Sequence, residues 1–378
     1  MSGALLPMEP GMSALATSRT IRVREISPGE LAGWDRMIRG FPNHRIAHTI
    51  AWILSLEGSG FGSPRFLVVE KDGAIVGCLP GLISDVGPFQ LFGSPPPASQ
   101  TVSMGPVFDD RRITGMELMQ AVTSFIEQRL GVHHMEITSP DLDPSEMLRL
   151  CFRGEPWPTH RVPLFPEDER RTLKQLKESV RRNITRGIKQ GLEVRFEADE
   201  RFVDEHYRQI REVCIRGGNA VHFKRGRVLQ CFRTLRDAGN LIAVSVYLPN
   251  RVNIATAIFT IEGQELTLWS WANRLKYRWH RPTELMIWTV MQRALSAGCT
   301  TFDLMGVGEF AIKFGVELDS RKYRWMKSRY RWLTGMRDIA AKGFQLQQSV
   351  RGRVARLGAP VVLRGLDPIP SLRDALRR

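Results

Sequence analysis

Residues 117–138 read ELMQAVTSFIEQRLGVHHMEIT, and residues 284–305 read ELMIWTVMQRALSAGCTTFDLM. Both stretches open on Glu-Leu-Met, at Glu117 and Glu284. Gly131 follows Glu117 by 14 positions, and Gly298 follows Glu284 by the same 14. Glu136 and Asp303 each stand 19 positions beyond their opening glutamate. The apolar residues before each glycine recur at helical spacing, and the glycine is a helix stop. An apolar run carrying the acid follows as a strand. Each copy is preceded by strand-rich sequence. The reading is a tandem repeat of one α/β unit, each built on a mixed sheet.

Working outward, ordered structure is expected from Ile21, after a flexible leader over 1–20 that lacks a secretory signal. Ser27-Pro28 opens one helix and Thr49–Glu57 forms another. Phe66–Glu70 and Ala74–Leu79 flank Lys71-Asp72-Gly73, a hairpin with a tight turn. Prolines 156, 158, 163 and 166 mark the connection between halves, which places one half at 21–165 and the other at 166–335. Thr172–Gln190 reads as one helix with Leu173, Leu176, Val180, Ile184 and Ile188 on an apolar stripe. A helix over Arg201–Cys214 follows. Leu241–Tyr247, Val252–Ile261 and Glu265–Trp271 read as a three-strand meander, and Lys322–Leu333 as one or two final strands. The tail, 336–378, is basic and helical in pattern.

The 378 residues suit two domains of about 150 each. A net charge of +15 favours anionic partners: nucleic acid, acidic lipid, or phosphate-bearing substrates. The five cysteines form no CxxC pair, so no zinc site or disulfide framework is expected and a reducing compartment fits. No metal site is expected. No apolar run approaches the roughly 18 residues of a membrane span, so the reading is cytoplasmic.

After the strand ending at Trp271 comes a loop with Arg274, Lys276, Arg278, His280 and Arg281, then a helix from Pro282. Free N–H groups at a helix start, with cations beside them, make a seat for phosphates. Trp271, Arg278, His280, Arg281 and Thr283 are therefore the candidate donor-binding residues. A solvated basic loop is the competing reading. Arg181 and Arg182 are candidates for an anionic acceptor, against a plain solvated helix face. His222, on a loop after Gly217-Gly218-Asn219, is a third acceptor candidate. Asp303 at a strand end is the candidate base, with Glu309 second.

These segments carry a resemblance. Leu176–Ile184 resembles the Ser-x-Arg-Arg-x-Ile/Leu helix of FemAB-like and CelD-like acetyltransferases. Ala297–Leu304 resembles their Gly-x-x-x-Phe-Asp strand, and Phe310–Gly315 their Phe-Lys-x-x-Phe-Gly loop. Val76–Pro80 resembles their Gly-x-Leu-Pro strand, so the likeness spans roughly 21 to 335. It implies two tandem GNAT-like halves. It also implies an acyl-CoA, such as acetyl-CoA, as donor, and an amine or hydroxyl of a saccharide or cell-envelope precursor as acceptor, as in exopolysaccharide production. The family's lysine falls on Ala311 here, and Lys313, two residues on, is the candidate replacement. Direct transfer without a covalent enzyme intermediate is expected.

Three other readings remain at this point: a Fem-type aminoacyl transferase using charged tRNA, a non-enzymatic basic nucleic-acid-binding protein, and a scaffold that kept the fold and lost the chemistry. The tail either packs on the second half or touches an acidic inner membrane surface.

Overall fold

The computed structural model describes residues 21–330 apart from 219 and 222, together with 332–335, 337–339, 342–343 and 346–347. The first half runs β1 (Ile21–Glu25), α1 (Pro28–Leu31), α2 (Trp34–Ile38), α3 (Ile50–Glu57), β2 (Ser63–Lys71), β3 (Ala74–Val86), β4 (Phe89–Ser94), β5 (Val107–Phe108), α4 (Gly115–Gln128), β6 (His134–Ser139), α5 (Pro144–Arg149) and β7 (Arg153–Pro156). The chain continues β8 (Thr159–Pro163), α6 (Glu169–Gln175), α7 (Glu178–Lys189), β9 (Glu193–Glu197), α8 (Arg201–Gly217), α9 (Arg225–Asp237), β10 (Leu241–Tyr247), β11 (Asn253–Glu262) and β12 (Glu265–Asn273). It ends with α10 (Pro282–Ser296), β13 (Thr301–Asp303), α11 (Glu309–Ile312), β14 (Glu317–Asp319) and β15 (Tyr323–Ser328).

Local chemistry explains the repeated units. Asp72 and Gly73 take φ of +53° and +78°, closing the β2–β3 hairpin. Thr114 caps α4 by accepting from Glu117 N at 3.1 Å, and the Glu117 carboxylate returns to Thr114 N at 2.9 Å. Gly131 and Gly298 both adopt positive φ, +68° and +79°, where each copy's helix turns into its strand. Each copy then makes one parallel pair, β4 with β6 and β12 with β13. The α/β class and the tandem arrangement read from the sequence hold.

The sheets do not follow the chain order. Sheet one runs β1-β2-β3-β4-β6-β15-β7, with β5 on β3, and sheet two runs β14-β8-β13-β12-β11-β10-β9. Thus β15, from the end of the second half, enters the first sheet, and β8, N-terminal to residue 165, enters the second. Halves cut at 165 would each hold a strand of the other's sheet.

The expected single helix over Thr172–Gln190 is two. Leu176 is extended (ψ 141°), and Lys177 N donates to Lys313 O at 2.9 Å, breaking the ladder between α6 and α7. Leu176, Val180 and Ile184 are buried, but Ile188 is 62% exposed and leaves the stripe. Helix α9, unassigned from the sequence, packs with α3 across the junction of the halves. There Ile53 and Leu56 meet Val228, Phe232 and Leu235.

Gly154 on β7 lies flat against buried Trp325 of β15; a Cβ there would sit 2.4 Å from the indole. Gly154→Ala should therefore destabilise the chain by about 1–3 kcal/mol through overpacking. The check is the urea midpoint, and an unchanged midpoint would mean that β15 is not packed there.

Candidate active site

The second sheet parts at its parallel pair. Strands β12 and β13 pair only from Glu265–Thr267 to Thr301–Asp303, while β12 stays paired with β11 to Asn273. Beyond Thr267 no described strand covers that edge of β12. The register with β11 steps from Phe259–Leu268 to Ile258–Ser270, so Trp269 is the extra residue of a bulge. Its indole donates to Gln100 O at 3.2 Å and meets Trp52 edge-on at 6.3 Å.

Beneath this bulge lies a buried polar network. His206 on α8 bonds Thr256 Oγ1 through Nδ1 (2.9 Å) and Ser270 Oγ through Nε2 (3.0 Å). Thr256 Oγ1 in turn donates to Gln209 Oε1 at 3.2 Å. Burial holds the His206 imidazole down at about 3. His48 is likewise held down at about 4, by burial and then by the charge of Arg45.

On the α10 face, several predicted residues converge. Trp271 stacks on Phe310 at 4.7 Å. Lys313 Nζ lies 4.2 Å from the Phe310 ring centre and donates to Glu284 Oε1 at 2.7 Å. Glu284, buried in the first turn of α10, also accepts from Asn183 Nδ2 at 3.1 Å. Thr283 is buried beside it and accepts from Asn273 Nδ2 at 3.2 Å. Trp271, Thr283 and Lys313 thus share one site.

The basic loop is a turn of 3-10 helix over Leu275–His280. Arg278 is exposed over the Trp279 ring, and His280 Nδ1 meets Gln190 Oε1 at 3.1 Å. Arg281 caps α10 at φ +55°, and Pro282 offers no N–H at the first helical position. Arg181 is drawn into the scaffold: its Nη1 donates to Lys174 O and Leu176 O at the end of α6. Arg182 is exposed and pairs with Glu178 at 3.3 Å, on a shallow basic groove with Arg186 and Lys189. Glu309 is exposed on α11 and stands apart from the cleft that Asp303 lines. His222 lies outside the described residues.

Asp303 faces the opposite side of the sheet, into a cleft between the halves. Trp52, Thr101 and Ser103 form one wall, and Glu265, Thr267 and Lys322 belong to the other. Asp303 Oδ1 accepts from Thr159 Oγ1 at 2.8 Å and Met305 N at 2.7 Å. Arg161 pairs with Glu265 and reaches Asp319 at 3.7 Å. Arg45 pairs with Asp141 at 3.0 Å and reaches Glu265 at 4.0 Å. Burial pushes the Glu265 carboxyl up and the Lys322 ammonium down to about 8. None of Arg45, Arg161, Glu265 and Lys322 was singled out from the sequence, because they come from four segments far apart in the chain. No group of three or more potential metal ligands occurs among the described residues. No described helix is long and apolar enough to cross a membrane.

Two tandem mixed sheets, with a parallel pair that parts ahead of a helix start, define a GNAT-type acyltransferase fold. Residues 174–314 match the family model described as an acetyltransferase (GNAT) domain. Among solved structures, the chain is similar to FemX at 15% identity and a TM-score of 0.66, covering 80% of this chain and 96% of that one. It is similar to the C-terminal domain of a putative lysylphosphatidylglycerol synthetase from Agrobacterium fabrum (12% identity, TM-score 0.52, covering 83% and 95%). A tandem GNAT protein from the clavulanic acid biosynthesis pathway is also similar (13%, 0.50, 82% and 98%). No curated protein matches the chain. Residues 174–314 thus carry a GNAT-type acetyltransferase domain, and the chain shares its overall fold with FemX and the tandem GNAT protein.

The two depressed histidines set a pH dependence. The unfolded chain takes up protons on them below about 6.5, whereas the folded chain keeps them neutral down to about 4 and 3. Their contribution is complete above about 6.5 and is lost as pH falls through that window. Urea midpoints measured from pH 8 to 4 should decline, and His206→Gln should decline less steeply, by up to about 1.4 kcal/mol per pH unit. Equal slopes would mean His206 is not held neutral.

Proposed function

We propose that the protein transfers an acyl group from acyl-CoA directly to an amine or hydroxyl of a saccharide or cell-envelope precursor. The observation that carries this reading is the uncovered edge of β12 beyond Thr267, which leads from the inter-half cleft to the start of α10. An extended donor arm bearing amides can pair with such an edge as an added strand does. Its thioester carbonyl would then lie at the bulge around Trp269. The donor's phosphates would lie towards Thr283, Arg278, His280 and Arg281, with Trp271 flanking the arm. Lys313, on the Phe310 ring, offsets the buried Glu284 carboxylate that would otherwise repel the donor's phosphates at this end.

The acceptor enters from the other face. The cleft offers a tryptophan wall, carboxylates, and threonine and serine hydroxyls. Flat apolar faces with hydroxyl-binding polar groups suit a sugar better than a bare phosphate. Asp303, with one oxygen fixed by two donors, orients the attacking group. We place the reaction in the cytoplasm, where acyl-CoA is made. The contact of the basic tail with acidic membrane, read from the sequence, falls mainly on residues outside the described set.

Three features favour a second donor, charged tRNA. Pro282 removes an N–H from the phosphate seat, and the buried Glu284 carboxylate occupies the first turn. The basic groove on α7 offers a broader phosphate surface.

Acetyl-CoA at about 100 times its dissociation constant should stabilise the fold by roughly 2.7 kcal/mol, a rise of about 2–4 °C in Tm. Lys313→Ala should reduce that rise. No shift with acetyl-CoA or longer acyl-CoAs, alongside a salt-sensitive shift with charged tRNA, would move the donor to tRNA.

A further inference from the structure

The acyl-transfer reading leaves open which group removes the acceptor's proton. Asp303 is the obvious carboxylate, and its Oδ1, held by Thr159 and Met305, suits it to orienting the acceptor. The other charges of the cleft are matched: Arg161 with Glu265 and Asp319, Arg45 with Asp141, and Arg321 with Asp319 at 2.8 Å. Lys322 differs. It is 3% exposed, it lines the cleft, and among the described residues its Nζ takes no hydrogen-bond partner. Its backbone is fixed, because Lys322 O accepts from Trp157 N at 2.9 Å where the chain crosses from β14 to β15.

Resting on the acyl-transfer reading, we propose that Lys322 is the general base of the reaction, taking the proton from the acceptor amine or hydroxyl in the inter-half cleft. The acceptor's lone pair forms a bond to the acyl carbon, and the carbonyl electrons move to oxygen. The acceptor's N–H or O–H proton passes to the Nζ lone pair. Collapse of the tetrahedral adduct restores the carbonyl and breaks the C–S bond. The electron pair leaves on sulfur, and the thiolate takes up a proton from Lys322 or from water.

The electrostatics agree with the geometry. The groups facing Nζ are Asp303 on β13, Arg45 ahead of α3, Asp319 on β14, Glu265 on β12 and Arg161 on β8. Burial is the largest influence and lowers the ammonium to about 8; Arg45 acts the same way, and the three carboxylates oppose it. Near pH 8 a large fraction of Lys322 is therefore a free amine, the form a base requires. Arginine at this position keeps the charge and cannot give up its proton.

Two measurements on the full chain test the proposal. The first is competitive labelling with trace acetic anhydride from pH 6 to 11, read lysine by lysine by mass spectrometry. Lys322 should titrate near 8, and surface lysines near about 10.4. A Lys322 that titrates with the surface set, or stays unlabelled throughout, overturns the proposal. The second is the pH profile of acetyl transfer from acetyl-CoA to glucosamine, or to water where glucosamine is not taken. Lys322→Arg and Lys322→Met should each lose about 10²–10⁴-fold at pH 8, lose the alkaline rise, and keep the acetyl-CoA melting shift. Retained rate and profile in either variant overturn it. A wild-type chain that neither shifts nor turns over with acetyl-CoA counts against the donor reading instead, and the labelling then decides for Lys322.

Discussion

The reciprocal exchange of β8 and β15 is the constraint on which the remaining architecture depends. In sheet one, β15 fills the place between β6 and β7; in sheet two, β8 fills the place between β14 and β13. Without these strands, β6 and β13 would each present an open edge at the end of their α/β unit. The two crossings pass side by side and are hydrogen-bonded, Trp157 N to Lys322 O. Arg161, Asp319 and Lys322 therefore reach the cleft from paired strands or the short link between them. A site held this way keeps its geometry better than one on free loops.

The same framework makes the halves unequal. Glu136 and Asp303 occupy matching positions of the repeat, but their surroundings differ. Glu136 is nearly enclosed, bonded by Arg337 at 2.7 Å with Arg324 at 3.9 Å, and His134 lies 3.4 Å away. Its carboxyl is held near 2: the hydrogen bonds from His134 and Arg337 and the arginine charges outweigh a burial effect that acts the other way. Asp303 instead opens on the cleft, beside the parting of β12 and β13. The first copy has spent its acid on internal ion pairs; the second holds its acid by one oxygen, from Thr159 and Met305, on the wall of the cleft.

Local features were legible in the sequence. Asp72-Gly73 and the glycines at 131 and 298 act within a few residues, and the spacing of the two glycines from Glu117 and Glu284 carries the repeat. Trp271, Thr283 and Lys313 were legible as neighbours because one strand–turn–helix unit and its following loop hold them. The strand exchange was not, because pairing partners a hundred or more residues apart leave no periodic trace. The break between α6 and α7 was hidden by an apolar stripe that runs through it, and it depends on the Lys313 carbonyl. Arg181 looked like a ligand-binding cation, yet its guanidinium caps carbonyls at the end of α6. The cleft gathers Arg45, Arg161, Glu265 and Lys322 from four distant segments, where each reads alone as a surface charge.

The composition of the cleft is itself an argument about its use. Arg45, Arg161, Glu265, Asp303, Asp319 and Lys322 cluster where water is largely excluded, and desolvating such groups costs several kcal/mol each before pairing offsets it. An apolar junction of the same volume would hold the halves together at least as well. The arrangement is therefore understandable where a polar ligand enters. The three buried cysteines point the same way for the proposed direct transfer: burial pushes the thiols of Cys78 and Cys231 up to about 12 and that of Cys299 to about 11, which withholds from these three the thiolate a covalent carrier needs. Under the proposed reading, in which donor and acceptor reach the parting of β12 and β13 from opposite faces of one sheet, attack would need no enzyme-bound intermediate, only a gap through which the acyl carbon meets the acceptor.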